Sequence, residues 1–97
     1  MKKHVLYFKP TCPFCKKVRA FIEANEIAGI EEKDIKKDPA NEAYLIEKGG
    51  KDMVPCLFID GKPLYESEDI IDYLDQTFCE GQGKRPAAQG PGMCPID

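Results

Sequence analysis

Cys12-Pro13-Phe14-Cys15 lies at the seam between a segment that reads as a strand and one that reads as a helix. His4-Val5-Leu6-Tyr7-Phe8 is rich in β-branched and aromatic residues and is closed by Pro10, as expected of a short strand that ends at a turn. From Pro13 to about Ala28, Phe14, Val18, Phe21, Ile22 and Ile27 recur at three- and four-residue steps, with Lys16, Lys17, Arg19 and Glu23 left for the opposite face. Pro13 suits the first turn, where the amide it lacks would have no partner within the helix.

The remaining pattern continues this alternation. Ile30 to Ile35 reads as a second strand despite its charges. Asp38 caps a second helix, Pro39 takes its first position, and Gly49-Gly50 ends it. Val54 to Ile59, a turn at Asp60-Gly61-Lys62, and Pro63-Leu64-Tyr65 form a β-hairpin. Ser67 opens a last helix with Ile70, Ile71, Tyr73, Leu74 and Phe78 on its buried stripe, and Glu68 and Asp69 complement its dipole. This order implies a parallel strand pair joined by a right-handed crossover, completed by an antiparallel hairpin into one mixed sheet. The expected domain is residues 1–78. Residues 79–97, rich in glycine and proline with few large apolar residues, are expected to form a flexible tail with no packed element.

A chain of 97 residues has room for one core. With 42% hydrophobic and 32% charged residues it should fold, and a net charge of -3 with interspersed signs argues against nucleic acid or an anionic membrane as partner. No segment has the length of a signal-peptide core or a membrane span, so a cytoplasmic location is expected. Five cysteines at uneven spacing do not resemble the even-numbered framework of a secreted disulfide scaffold.

A Cys-X-X-Cys pair opening a helix favours redox chemistry, because the first thiol meets unpaired amides and the positive helix end, both of which stabilise thiolate. Cys12 is therefore the expected nucleophile and Cys15 the resolving thiol. Zinc is the weaker reading, since no second half-site accompanies the pair and His4 is the sole histidine. An inert pair is disfavoured by Pro13 and by the nearby Lys9, Lys16 and Lys17. Met53-Val54-Pro55 precedes the hairpin: a trans Pro55 would merely start the strand, whereas a cis bond would leave the Val54 backbone free to pair with an extended peptide.

Lys9-Pro10-Thr11-Cys12-Pro13-Phe14-Cys15, Val54-Pro55 and Tyr65-Glu66-Ser67-Glu68-Asp69, in this order and spacing, resemble the glutaredoxin family and the related N-terminal domain of glutathione transferases. The resemblance covers residues 4–78. It implies the α/β thioredoxin-like fold, a four-stranded mixed sheet in the order β-α-β-α-β-β-α flanked by three helices. It also implies attack by Cys12 on a disulfide, with Lys9, Phe14, Val54 and a cis Pro55 facing glutathione, and Glu66, Ser67 and Glu68 at its γ-glutamyl end. A helix N-terminus there would offer amides to the γ-glutamyl carboxylate. Ser67 could equally be only a helix cap.

The implied activity is a glutathione-dependent oxidoreductase that reduces glutathione mixed disulfides and protein disulfides and serves electron transport and cell redox homeostasis. Glutathione is the expected co-substrate. No metal or tightly bound cofactor is expected, and the implied partners of the monomer are disulfide or glutathionylated proteins. Met53 and Tyr65-Glu66 depart from the common glutaredoxin pattern toward that of a transferase, yet no residues remain for the transferases' second domain. Phe14, where tyrosine is familiar, is a mild change. Two alternatives stand beside this reading: a thioredoxin-type protein disulfide reductase, separable by redox potential, and a carrier of a glutathione-ligated iron-sulfur cluster, separable by visible absorbance. Cys56 is expected to be structural, and Cys79 and Cys94 to lie outside the mechanism.

Overall fold

A computed structural model describes residues 3–83 and 92–96. The chain runs β1 (His4–Phe8), α1 (Pro13–Ala24), β2 (Ile30–Asp34), α2 (Pro39–Tyr44) with a π-helical turn over Leu45–Gly49, β3 (Met53–Val54), β4 (Cys56–Ile59), β5 (Lys62–Tyr65), α3 (Ser67–Phe78) and β6 (Cys94–Pro95). The main sheet has the order β2-β1-β4-β5, while β3 and β6 form a separate antiparallel pair.

The physical origin of this order lies in which strands are covered on both faces. β1 is central, parallel to β2 and antiparallel to β4, and four of its five residues are buried. It is accordingly a near-continuous apolar run. The charges of Glu31, Glu32, Lys33 and Asp34 are tolerated because β2 is an edge strand, where charge also discourages pairing with another chain. Below one face, Leu6 and Leu57, paired across β1 and β4, pack with Val18, Phe21 and Ile22 of α1 and Ile70, Ile71 and Leu74 of α3. On the other face, Tyr7, Cys56 and Phe58 join Ile35, Leu45 and Val54.

Local signals place the helix ends. Asp38 caps α2 by accepting from the Ala40 amide at 2.9 Å, with Pro39 in the first turn. The π turn ends at Gly50, whose φ of 83° is the left-handed conformation that glycine adopts without penalty. α1 stops at Ala24, four residues before the end that periodicity suggests, because Glu26 turns to a φ of 51°. Lys17, expected on the exposed face of α1, is instead buried: its stem lies in the α1–α3 interface and its ammonium meets Glu68 at 3.0 Å.

The expectation of no packed element after Phe78 fails at residues 92–96. β6 pairs with β3, Met53 opposite Pro95 and Val54 opposite Cys94. Ile96 is only 3% exposed and its amide donates to the Asp52 carbonyl at 3.0 Å. A two-residue strand and one buried isoleucine are among the contacts that dock a segment whose composition is otherwise that of a loop. Residues 79–83 turn back onto α3, where the Gly83 amide donates to Asp75 Oδ1 at 2.7 Å; residues 84–91 and 97 of the suggested tail lie outside the described residues.

Candidate active site

Cys12 is the N-cap of α1, with extended backbone (φ -80°, ψ 120°). Its amide donates to the Lys9 carbonyl and its carbonyl accepts from Lys16, both at 3.0 Å. These bonds close the turn between β1 and α1, and the side chain makes no capping bond of its own. The sulfur is thus presented beside the positive end of the helix, where no acidic residue stands in the first turn to oppose a thiolate.

Cys15, one turn into α1, is buried and holds a free thiol. Burial pushes its pKa up to about 11, and the backbone of Lys9 and the charges of Lys9 and Arg19 offset only part of that rise. Near neutral pH it is therefore a protonated thiol. The expected asymmetry between the two cysteines of the motif is present in their positions: one caps the helix, the other is sealed behind it.

The partner of Cys12 is Cys94. The two are joined in a disulfide with their Cα atoms 6.1 Å apart, although 82 residues separate them in sequence. That separation lies in the usual range for bridged cysteines. The sequence alone places Cys94 in a tail remote from the motif; the pairing of β6 with β3 delivers it to the start of α1.

The other sequence-predicted residues ring this bond. The Val54–Pro55 peptide is cis and both residues are buried. Val54 stands opposite Cys94 in the strand pair. Lys9 Nζ donates to the Pro95 carbonyl at 2.9 Å. Phe14 packs against Gly92 so closely that a Cβ at position 92 would overlap its ring. Glu66, with a φ of 72°, is the N-cap of α3 and is one of the few residues other than glycine held at positive φ. Next to it, the Ser67 amide donates to the Gly92 carbonyl at 3.0 Å. Ser67 Oγ is buried without a hydrogen-bond partner, so the hydroxyl is not a helix cap. Glu68 lies one residue on and is engaged by Lys17.

Lys9, Cys12, Phe14, Val54 and Ser67 thus come together around residues 92–95, although they lie in three separate stretches of chain. A scan against family models matches the glutaredoxin model over residues 5–64. The chain belongs to the glutaredoxin family. Glutaredoxin-C4 of Arabidopsis thaliana is 36% identical over 72 residues, covering 72% of this chain and 53% of the relative, so the chain spans about half that protein's length. Among solved structures, glutaredoxin 2 from Salmonella typhimurium in complex with glutathione is 32% identical, with a TM-score of 0.64 over 90% of this chain and 37% of that one. Glutathione transferase Omega 3C from Trametes versicolor is 25% identical, with a TM-score of 0.68 over 80% and 34%. The thioredoxin-like fold follows, as does the double likeness to glutaredoxins and transferases.

Cys12 stands in the turn after β1, within the residues that the family model matches. What sequence reasoning missed is Gly92, Cys94, Pro95 and Ile96. The available signal was weak: Ile96 is a large aliphatic residue in a segment otherwise poor in them, and it follows a cysteine by two positions.

Proposed function

We propose that this chain is a glutathione-dependent thiol-disulfide oxidoreductase in which Cys12 is the nucleophile. The Cys12 thiolate attacks a glutathione mixed disulfide or a protein disulfide, releases one sulfur as thiolate and keeps the other in a mixed disulfide. A second thiol, glutathione or Cys15, then resolves that bond. Lys9 receives the glycine carboxylate of glutathione, Val54 pairs with its cysteine backbone, and the amides at Glu66, Ser67 and Glu68 face the γ-glutamyl end. Phe14 and Pro55 shape the groove between them.

The observation that carries this reading is the occupant of the groove. An extended, cysteine-bearing peptide lies there, its backbone paired with Val54 and its sulfur bonded to Cys12. A groove built to accept such a peptide suits glutathione, which is itself a cysteine-centred peptide, and the glutathione complex of a 32% identical glutaredoxin supports the same ligand class. Buried Ser67 Oγ, without a partner, adds a polar atom available to that ligand.

The test is reduction of a glutathione mixed disulfide by glutathione, comparing the native chain with Cys12→Ser and Cys15→Ser. Loss of turnover with Cys12→Ser and its retention with Cys15→Ser is expected. Full activity in Cys12→Ser would refute the assignment.

A further inference from the structure

Residues 92–96 touch each part of the groove in chain order. The Gly92 carbonyl is on the Ser67 amide, Cys94 is opposite Val54 and bonded to Cys12, and the Pro95 carbonyl is on Lys9 Nζ. Glutathione, in the orientation given above, would run the same way: γ-glutamyl end at α3, cysteine at Val54, glycine at Lys9. The segment is anchored beyond the groove by buried Ile96 and its bond to Asp52. At its other end it runs against the Phe14 ring, which a Cβ at residue 92 would strike unless the ring moved.

We propose that Cys94 is a third redox cysteine, which resolves the mixed disulfide on Cys12 from within the chain, with residues 92–96 taking the place of glutathione in its groove. The inference rests on Cys12 being the nucleophile, as proposed above. In the first step the Cys12 thiolate attacks a disulfide R–S–S–R′, forming Cys12–S–S–R and releasing R′–S⁻, which takes up a proton. In the second the Cys94 thiol loses its proton to solvent and attacks Cys12 Sγ. The bond from Cys12 to R breaks, R–S⁻ leaves and is protonated, and the Cys12–Cys94 bond forms. Two thiols are oxidised and one external disulfide is reduced.

Regeneration uses an external monothiol such as glutathione. Cys12 is 1% exposed whereas Cys94 is only partly buried, so the thiolate attacks Cys94 Sγ and frees Cys12. A second glutathione then attacks the glutathione sulfur on Cys94, leaving as glutathione disulfide and restoring the Cys94 thiol. The geometry favours Cys94 over Cys15 as the resolving group: the β3–β6 pairing sets Cys94 against Cys12, to which it is bonded, whereas Cys15 is an unbonded thiol packed in the core, where burial raises its pKa.

The experiment uses the full chain carrying Cys15→Ser and Cys79→Ser, with and without Cys94→Ser, reduced and then treated with glutathione disulfide. Intact mass, non-reducing peptide mapping and released thiol are followed over time. With Cys94 present, about two equivalents of glutathione and an internal Cys12–Cys94 bond are expected, at a rate independent of protein concentration. With Cys94→Ser the chain should stop as a Cys12–glutathione adduct after about one equivalent. Gly92→Val, which leaves every thiol in place, should slow closure on the order of tenfold.

A persistent Cys12 adduct beside an unreacted Cys94, or a bond that forms only between chains, would overturn the inference. If glutathione disulfide fails to modify Cys12 in either variant, the glutathione reading falls. The same pair treated with 4,4′-dithiodipyridine then decides the role of Cys94, because that reagent needs no glutathione groove: closure supports it and a lasting pyridyl adduct refutes it.

Discussion

Cys94 faces Val54 across an antiparallel strand pair, so the far end of the chain lies beside the cis Val54–Pro55 bond. The same register brings the Pro95 carbonyl to Lys9, and the sulfur of Cys94 to Cys12. Groups from both ends of the chain therefore meet at one helix N-terminus, and the site is sensitive to changes far from the Cys-X-X-Cys motif.

Lys9→Met removes the ammonium that holds the Pro95 carbonyl at 2.9 Å and that would hold a glutathione carboxylate. A charge-assisted hydrogen bond of this kind is worth enough to raise the KM for glutathione by about tenfold. The effect on kcat should be small. Steady-state kinetics with varied glutathione checks the split, and an unchanged KM would remove Lys9 from the binding set.

Phe21 is fully buried between α1, α3 and the sheet, and its ring also packs against Gly83. Phe21→Ala leaves a large cavity in the face of the core that the two helices share, and should cost about 3–5 kcal/mol. Urea unfolding measures it. A loss below about 1 kcal/mol would mean that the α1–α3 interface collapses freely around the change.

Lys17 and Glu68 tie the first helix to the start of the last at 3.0 Å, with side chains 7% and 25% exposed. Partial burial should lift their coupling toward the upper end of the surface range, about 1 kcal/mol in a double-mutant cycle of Lys17→Met and Glu68→Gln. Chemical denaturation of the four proteins gives the number. A coupling indistinguishable from zero would reduce the pair to a geometric coincidence.

Alkaline pH should destabilise the fold before it ionises the core. Burial pushes Cys15 up to about 11 and Cys56 up to about 12, while in the unfolded chain both thiols ionise near their usual 9.0. Below about pH 8.5 both states keep these protons and stability is insensitive to them. As pH rises through 9 toward 11 the unfolded state loses protons that the folded state retains, so stability falls. Denaturation midpoints at pH 8 and about pH 10 test this, and Cys15→Ala should flatten the decline. Equal midpoints in the native chain would contradict the burial of these thiols as neutral groups.

Much of this architecture was legible in local patterns. The apolar run His4–Phe8, the proline-led helices at Pro13 and Pro39, and the hairpin around Gly61 all appear where spacing and turn chemistry put them. Within the candidate site, Lys9, Cys12, Phe14, Val54 and Ser67, which the family resemblance singled out, all contact residues 92–95. Two local readings did not hold because a neighbour in space decided them. Lys17 is buried and paired with Glu68 of α3, and Cys94–Pro95 is a strand because β3 offers it an open edge.

The sequence by itself determined the elements up to Phe78, their order and the place of the Cys-X-X-Cys motif at the start of α1, because periodicity, capping and turn preferences act over a few residues. Only the tertiary structure decided which thiol Cys12 meets. Cys15 is three positions away yet sealed in the core, whereas Cys94 is 82 positions away yet bonded to it. That choice depends on the open edge of β3 and on the apolar cluster that buries Ile96, features that exist only once distant segments have packed.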